Sequence, residues 1–257
     1  MNSAERVTIS IVTATHDCAV ELPGLVSSLR AQSDRNFEWV VADAASSDGT
    51  LDLLRSISDI RVVISSQPDF GIYDALNRAL RSASGSYYIV AGADDRFASD
   101  AIANFRSAIE RHGTDIVAAS VMYGKHLFKI KRMPSWVVGE KAFIASHSVG
   151  TAFRADLHAK FGYYSRKFPI AADSLFVLRA CRGGATRHEG SFLAGRIGCD
   201  GVSYADWAGA ATELFRVQLI VGCALIPQVV LLLLRILKGS NARVRSLHTA
   251  ILRKGPT

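Results

Sequence analysis

Two acidic loops about fifty residues apart each follow an apolar run that reads as a buried strand. The first is Val40-Val41-Ala42-Asp43-Ala44-Ala45-Ser46-Ser47-Asp48-Gly49-Thr50, and the second is Tyr87-Tyr88-Ile89-Val90-Ala91-Gly92-Ala93-Asp94-Asp95. Carboxylates at the C-terminal ends of parallel strands are where open α/β sheets bind ligands. Two such loops at matching strand ends imply one shared pocket. Hard oxygen donors of this kind suit Mg²⁺ or Mn²⁺ bridging a diphosphate. Asp94 and Asp95 stand side by side and repel each other, which argues against a purely structural role. The plainer alternative is a solvated turn leading into the next helix.

To hold these loops, the chain must alternate strands and helices. Residues 7–13 form a β-branched run, and 22–31 carry apolar residues at helical spacing. Strands are expected at 37–43, 60–65 and 87–91, with helices at 50–56, 72–83 and 99–112, the last with Ser99 as N-cap. This order predicts a mainly parallel, doubly wound sheet with helices on both faces. Regularity then fades: strands are expected at 115–123 and 127–132 around Gly124-Lys125, and a helix at 172–182. No G-x-G-x-x-G follows the first strand and no Walker sequence occurs, which disfavours dinucleotides and P-loop chemistry. A diphosphate held without a glycine-rich cradle needs a metal, which returns the argument to Asp94 and Asp95.

The 257 residues suffice for one large domain with an appendage. Hydrophobic residues at 49% and charged ones at 21% argue against disorder. Cys18, Cys181, Cys199 and Cys223 form no C-x-x-C pair and read as reduced thiols of a cytosolic protein. The first apolar run, residues 7–12, is too short for a signal peptide. The net charge of +7 lies wholly in the tail: from Leu214 onward there are seven Lys/Arg and no acid, leaving 23 basic against 23 acidic residues before it. The body has no basic strip interleaved with aromatics, so nucleic acid is not expected as a partner. Residues 217–234 are uncharged but contain Gln218, Pro227 and Gln228, at the lower limit for a spanning helix. Beyond them Val244, Leu247 and Ile251 share a helical face, with Arg243, Arg245, Arg253 and Lys254 at other positions. Such a segment is expected to lie on an anionic membrane surface; the alternative is packing on the body or on a homodimer partner. The division expected is a body at 1–213 and an apolar, then basic, helical tail at 214–257.

Five blocks now stand in order: Ile9-Ser10-Ile11-Val12-Thr13-Ala14-Thr15-His16-Asp17, Asp43 through Thr50, Gln67-Pro68-Asp69-Phe70-Gly71-Ile72-Tyr73-Asp74-Ala75-Leu76-Asn77, Gly92 through Asp95, and Ala171-Ala172-Asp173. Together they make residues 7–213 similar to the family 2 glycosyltransferases of the GT-A fold, of the bacterial exopolysaccharide, colanic-acid or O-antigen type. His147-Ser148 and Gly201-Val202-Ser203 fall where that subgroup has related motifs.

The resemblance implies roles residue by residue. Thr13, Ala14, Thr15 and His16 would cup a nucleobase, with His16 where the family often has a stacking tyrosine. Asp43 would accept a hydrogen bond from the base. Asp69, Asp74 and Asn77 would lie on the nucleotide-sugar side; the alternative for Asp74 and Asn77 is to hold the loop from Gln67. Asp94 would face ribose or metal, Asp95 would ligate Mn²⁺ or Mg²⁺, and Asp173 would be the catalytic base, with Ala172 where the family usually has an acid. His147 and Ser148 would face the acceptor or donor, or be satisfied polar residues. Plainer roles also exist for Asp48, Asp43 and Asp173, as turn or capping residues.

The implied activity is inverting transfer of a sugar from a nucleotide-diphosphate sugar, UDP before GDP, to a saccharide or polyprenyl-diphosphate-linked acceptor. Its setting would be cell-surface polysaccharide synthesis, in the cytoplasm at the inner face of the plasma membrane. The rivals are a nucleotidyltransferase on a related sheet and a non-catalytic nucleotide-sugar-binding scaffold. The first usually has a glycine-rich, Arg-containing loop where this chain has Thr13-Ala14-Thr15-His16. The intact Asp95 and Asp173 argue against the second.

Overall fold

Continuous apolar runs make the central strands, because both of their faces are covered. β1 (Ile9–Thr15) pairs in parallel with β2 (Phe37–Asp43), Ile9 opposite Phe37 and Thr15 opposite Asp43. β3 (Val62–Ser66) flanks β2, and β4 (Tyr87–Val90) flanks β1, both in parallel. The computed structural model describes residues 8–198 and 206–253, without the side chains of 241–253. Gly201-Val202-Ser203 therefore lies outside the described residues, as do the side chains of the basic amphipathic segment.

The helices joining these strands are α1 (Leu22–Arg30), α2 (Thr50–Arg55) and α3 (Ile72–Ser82). After them come β5 (Arg96–Phe97), α4 (Ala101–His112), β6 (Ile116–Tyr123), β7 (His126–Phe128), the short α5 (Ser135–Val138), β8 (Thr151–Arg154) and β9 (Arg187–Ile197). Strand order is β3-β2-β1-β4-β8-β6-β9-β5, with β7 beside β6. The parallel arrangement covers the first four strands and the β6–β9 pair. β8 enters between β4 and β6 antiparallel to both, and β5 and β7 are also antiparallel. The sheet is thus mixed in its second half.

Alternate residues of each strand feed two cores, as the period of two requires. Ile11, Trp39 and Ile89 pack with Leu25 of α1 and Phe105 of α4 on one face. Val12, Val40 and Tyr88 pack on the other with Leu76 of α3 and Phe176 of α7 (Ala172–Arg182). α6 (Leu157–Phe161) joins this second core through Leu157.

Several ends shift by a residue or two, β7 stops at Phe128 short of the expected 132, and two further departures matter more. α4 begins at Ala101 and Ser99 does not cap it; the Gln32 side chain does, its Oε1 accepting from the Ile102 amide at 3.1 Å. The uncharged run at 217–234 is two helices, α8 (Trp207–Ile220) and α9 (Leu225–Arg253), parted by a turn at Gly222 with φ +84°. Only glycine adopts that conformation without strain.

The 213/214 boundary falls inside α8, which belongs to the body. Buried Glu213 accepts from the Ile170 and Ala171 amides, and Val217 and Gln218 are fully buried. One side of α9 is tied down by Gln228, donating to the Trp136 carbonyl, and Arg235, donating to that of Val137. Ile226, Val230, Leu233, Leu234 and Leu237 are exposed on its surface. Among the described residues, no helix is long and apolar enough to cross a membrane.

Candidate active site

The C-terminal ends of β1 and β2 open onto a cavity of about 410 Å³ lined by Ala14, Thr15, His16, Ala44, Pro68, Asp69, Gly71, Ile72 and Ala75. Three of the four residues expected to cup a base are there. Thr13 is not: it lies one step lower on β1, fully buried, with its Oγ1 accepting from Trp39 Nε1 at 2.9 Å. Asp69 is held by the Gly71 amide at 2.9 Å and faces Arg78 Nη2 at 3.9 Å. Arg78 also donates to the Asp43 carbonyl at 2.7 Å, so one guanidinium braces both loops around the cavity.

Asp43 sits beneath this cavity and does not line it. Its carboxylate accepts from Thr15 Oγ1, Ser46 Oγ, the Ser46 amide and Ser66 Oγ, at 2.5–2.9 Å. A carboxylate offers about four acceptor sites, and all are filled. Burial opposes its ionisation, but these hydrogen bonds outweigh burial and hold the carboxyl below its ordinary pKa. Asp48 is likewise local: it accepts from the Thr50 amide and hydroxyl and from the Ala19 amide.

The expected pair on α3 parts company. Asp74 turns outward to Arg166 and to the Phe70 amide. Asn77 turns inward and is buried, exchanging two hydrogen bonds with the Tyr164 backbone at 2.8 and 3.0 Å. Neither lines the cavity. Asn77 braces the segment that carries Tyr164, and Asp74 with Phe70 braces the loop after β3.

At the end of β4 the two aspartates differ. Asp95 is 3% exposed, and both its oxygens have donors: the Gly92 amide at 2.6 Å and the Ser148 hydroxyl on one, the Gly198 amide at 2.8 Å on the other. Burial nonetheless lifts its pKa, and the neighbouring Asp94 charge adds to the rise. Asp94 is half-buried and packs over Gly198, where a methyl group would overlap its carboxylate. Among the described residues, no three His, Cys, Asp or Glu side chains converge as a ready-made ion site.

Asp173 stands in the first turn of α7, where its Oδ1 accepts from Tyr73 Oη at 2.9 Å and the Ser174 amide at 2.7 Å. Its Oδ2 faces His147 Nδ1 at 4.0 Å. Burial lifts the Asp173 pKa, with the Tyr73 bond opposing, and pushes His147 down to about 3. His147 is therefore neutral near pH 7.

Two connections bring these groups together. Adjacent residues of one loop reach both acidic sites, Ser148 bonding Asp95 and His147 facing Asp173. α3 lines the cavity with Ile72 and Ala75 and holds Asp173 with Tyr73. Backbone strain gathers here too: among the described residues, the non-glycine positions with positive φ are Asp17, Ala45 and Val149. The sequence reading gave no role to Tyr73, Tyr164 or His158. Their only local signal is the spacing of Tyr73 and Asn77, one helical turn apart.

The family model described as glycosyl transferase family 2 matches residues 10–174. A PGL/p-HBAD biosynthesis glycosyltransferase of Mycobacterium bovis is 33% identical over 118 residues, 44% of this chain and 46% of that protein. The Escherichia coli UDP-Glc:alpha-D-GlcNAc-diphosphoundecaprenol beta-1,3-glucosyltransferase WfaP is 31% identical over 97 residues, 37% and 39% of the two chains. The chain thus spans less than half the length of these curated relatives. Among solved structures, the mannosyltransferase of Pyrobaculum calidifontis in complex with GDP-Man and Mn²⁺ superposes with TM-score 0.65 at 17% identity, covering 96% of this chain and 81% of that one. That likeness gives the fold, which is GT-A. By the family match over most of its body, the chain belongs to glycosyl transferase family 2.

Proposed function

We propose that this chain transfers a sugar, with inversion, from a nucleotide-diphosphate sugar in the cavity to an acceptor hydroxyl deprotonated by Asp173. The observation that carries it is the loop at 147–148, which bonds Asp95 through Ser148 and faces Asp173 with His147. It ties the acidic end of β4 to a carboxylate that burial makes a better base. The acceptor oxygen, stripped of its proton, attacks the anomeric carbon in line with the departing diphosphate. One base and no enzymic nucleophile inverts that centre.

The residues fit a divalent ion in which Asp94 is the leading ligand. Asp95 already has protein donors on both oxygens, and the charges of the two aspartates oppose each other, so a cation beside them relieves the repulsion. One or two carboxylates suffice when phosphate oxygens complete the shell. When bound, Mn²⁺ or Mg²⁺ supplies charge neutralisation to the leaving diphosphate. UDP-sugars are the preferred donors and GDP-sugars next. A polyprenyl-diphosphate-linked saccharide is the acceptor class named for the Escherichia coli relative.

Such acceptors sit in a membrane, and α9 offers the contact. Its apolar side is exposed, and from Leu214 on the chain carries only basic charges. The setting proposed is the cytoplasmic face of the plasma membrane. Leu233→Asp with Leu237→Asp should abolish sedimentation with anionic vesicles; unchanged sedimentation would exclude α9 as the anchor. Calorimetry with UDP-, GDP- and dTDP-sugars, with and without Mn²⁺, tests the donor reading. A UDP-sugar bound only with metal is the expected result, and failure of every nucleotide to bind would sink it.

A further inference from the structure

A chain of four rings runs from Asp173 into the core, and its far end fixes every hydrogen along it. His158 Nδ1 on α6 lies 3.1 Å from the Gly162 carbonyl oxygen, which can only accept, so Nδ1 carries the hydrogen. Burial pushes His158 down to about 4, so near neutrality its Nε2 is an acceptor. Tyr88 Oη, 2.7 Å away, must donate to it. Tyr88 has then used its one hydrogen and accepts from Tyr164 Oη at 3.0 Å. Tyr164 in turn accepts from His147 Nε2 at 2.7 Å. A neutral His147 with its hydrogen on Nε2 has a lone pair on Nδ1. That lone pair faces Asp173 Oδ2 at 4.0 Å.

The other carboxylate oxygen is already engaged: the Ser174 amide donates to Oδ1, and so does the Tyr73 hydroxyl, whose one hydrogen is shared with the Ile170 carbonyl at the same 2.9 Å. Oδ2 is the basic atom. We propose that His147 is a positioning residue for the base, its Nδ1 accepting a hydrogen bond from the proton that Asp173 acquires at Oδ2. The proposal rests on the glycosyl-transfer reading. In that step the acceptor O–H bond breaks and its oxygen bonds the anomeric carbon. The bond from that carbon to the diphosphate oxygen breaks, its electron pair leaving with the diphosphate, and the proton ends on Oδ2. Two acceptors facing each other repel while Asp173 is ionised and attract once it is protonated. Closing 4.0 Å to a hydrogen bond takes about 1 Å of side-chain movement.

The other ionisable groups around Asp173 are Tyr73 of α3, Tyr164, and Glu140 and Lys141 of the 3-10 turn at Gly139–Ala142, with Glu213 of α8 beyond Tyr73. None of these supplies an acceptor to Oδ2 among the described hydrogen bonds.

Imidazole ¹⁵N–¹H correlation spectra of the full chain test the tautomers directly. His147 should carry its hydrogen on Nε2 and His158 on Nδ1; the opposite tautomer at His147 overturns the proposal. A pH series on the Asp173 carboxyl carbon, assigned with Asp173→Asn, reads the consequence. In His147→Ala the midpoint should fall by about 0.5–1 pH unit, because the protonated form loses its acceptor. His147→Asn puts an amide oxygen near the place of Nδ1 and should restore most of it. Tyr164→Phe keeps the ring but frees the tautomer, and should fall between. An unmoved midpoint in the Ala variant, or equal falls in Ala and Asn, overturns the role. Neither measurement uses a donor or acceptor, so a failed transfer assay beside the expected tautomers would count against the reaction and not the network.

Discussion

Asp43 through Arg78 and Asp173 through Tyr73 are both tied to α3, and their carboxylates respond to burial in opposite ways. Asp43 is fully buried, yet its pKa is held down; the Asp173 side chain is 24% exposed, yet its pKa is lifted. Burial opposes the charge at both sites, and the number and placing of donors decides whether it is offset. Four donors on Asp43 fill both oxygens, whereas the two on Asp173 share one oxygen and leave Oδ2 open. Asp43 holds β1, β2 and β3 in place. In the glycosyl-transfer mechanism proposed above, Asp173 keeps Oδ2 in reserve for a substrate proton.

The comparison breaks most sharply in turnover. Asp173→Asn keeps the shape and the Tyr73 contact but cannot take a proton. Turnover should fall at least about a hundredfold, the contribution of a positioned general base, while nucleotide-sugar affinity changes less than about threefold. Lost donor binding with near-normal turnover at saturation would make Asp173 a binding residue instead.

A smaller effect separates the neighbours at the end of β4. Asp94→Asn should weaken Mn²⁺-dependent nucleotide binding by roughly tenfold, about 1.4 kcal/mol, with little change in melting temperature. Asp95→Asn should act the other way round. It leaves the Gly198 or Gly92 amide, or Ser148, without its acceptor in a buried site, a loss of about 1–3 kcal/mol of stability. Calorimetry and thermal melts on both variants would show whether the two roles divide so, and equal metal affinities for wild type and Asp94→Asn would remove Asp94 as a ligand.

The same contrast governs what could be read from sequence. The parallel strands and their acidic ends were legible because continuous apolar runs stop abruptly at Asp43 and at Gly92. The cavity wall at Ala14, Thr15 and His16 was reached through the family resemblance and not through the apolar run. Thr13 was misplaced because a motif carried over residue by residue gives a position but not a depth, and one step down the strand is already beneath the rim. Asp74 and Asn77 share a helix, but their fates depend on Arg166 and Tyr164, which only the tertiary fold brings near. The bond from Tyr73 to Asp173 joins positions 100 apart, and no local pattern announces it. The mixed half of the sheet was hidden likewise, since β8 is four residues long and carries no alternation of its own.

The subtlest prediction sets the two carboxylates against each other in stability. Asp43 has a depressed folded pKa, so its contribution is present above its unfolded value of about 3.9 and is lost as pH falls below it. Asp173 has a raised folded pKa, so its ionisation costs stability as pH climbs through that value. Near pH 7, Asp43→Asn should therefore lower the melting temperature by about 4–8 °C, roughly 2 kcal/mol from donors left unmatched. Asp173→Asn should raise it by about 2 °C, as relief of an uncomfortable active-site charge often does. Near pH 4 both carboxyls are closer to neutral in the unfolded chain, and the raised pKa of Asp173 means that it takes up its proton in the fold before it does so in the unfolded chain. The gain from Asp173→Asn should vanish there, and the loss from Asp43→Asn should shrink. Thermal melts at the two pH values would decide it. A gain for Asp173→Asn that persists unchanged in acid would mean that packing, not the buried charge, distinguishes the two sites.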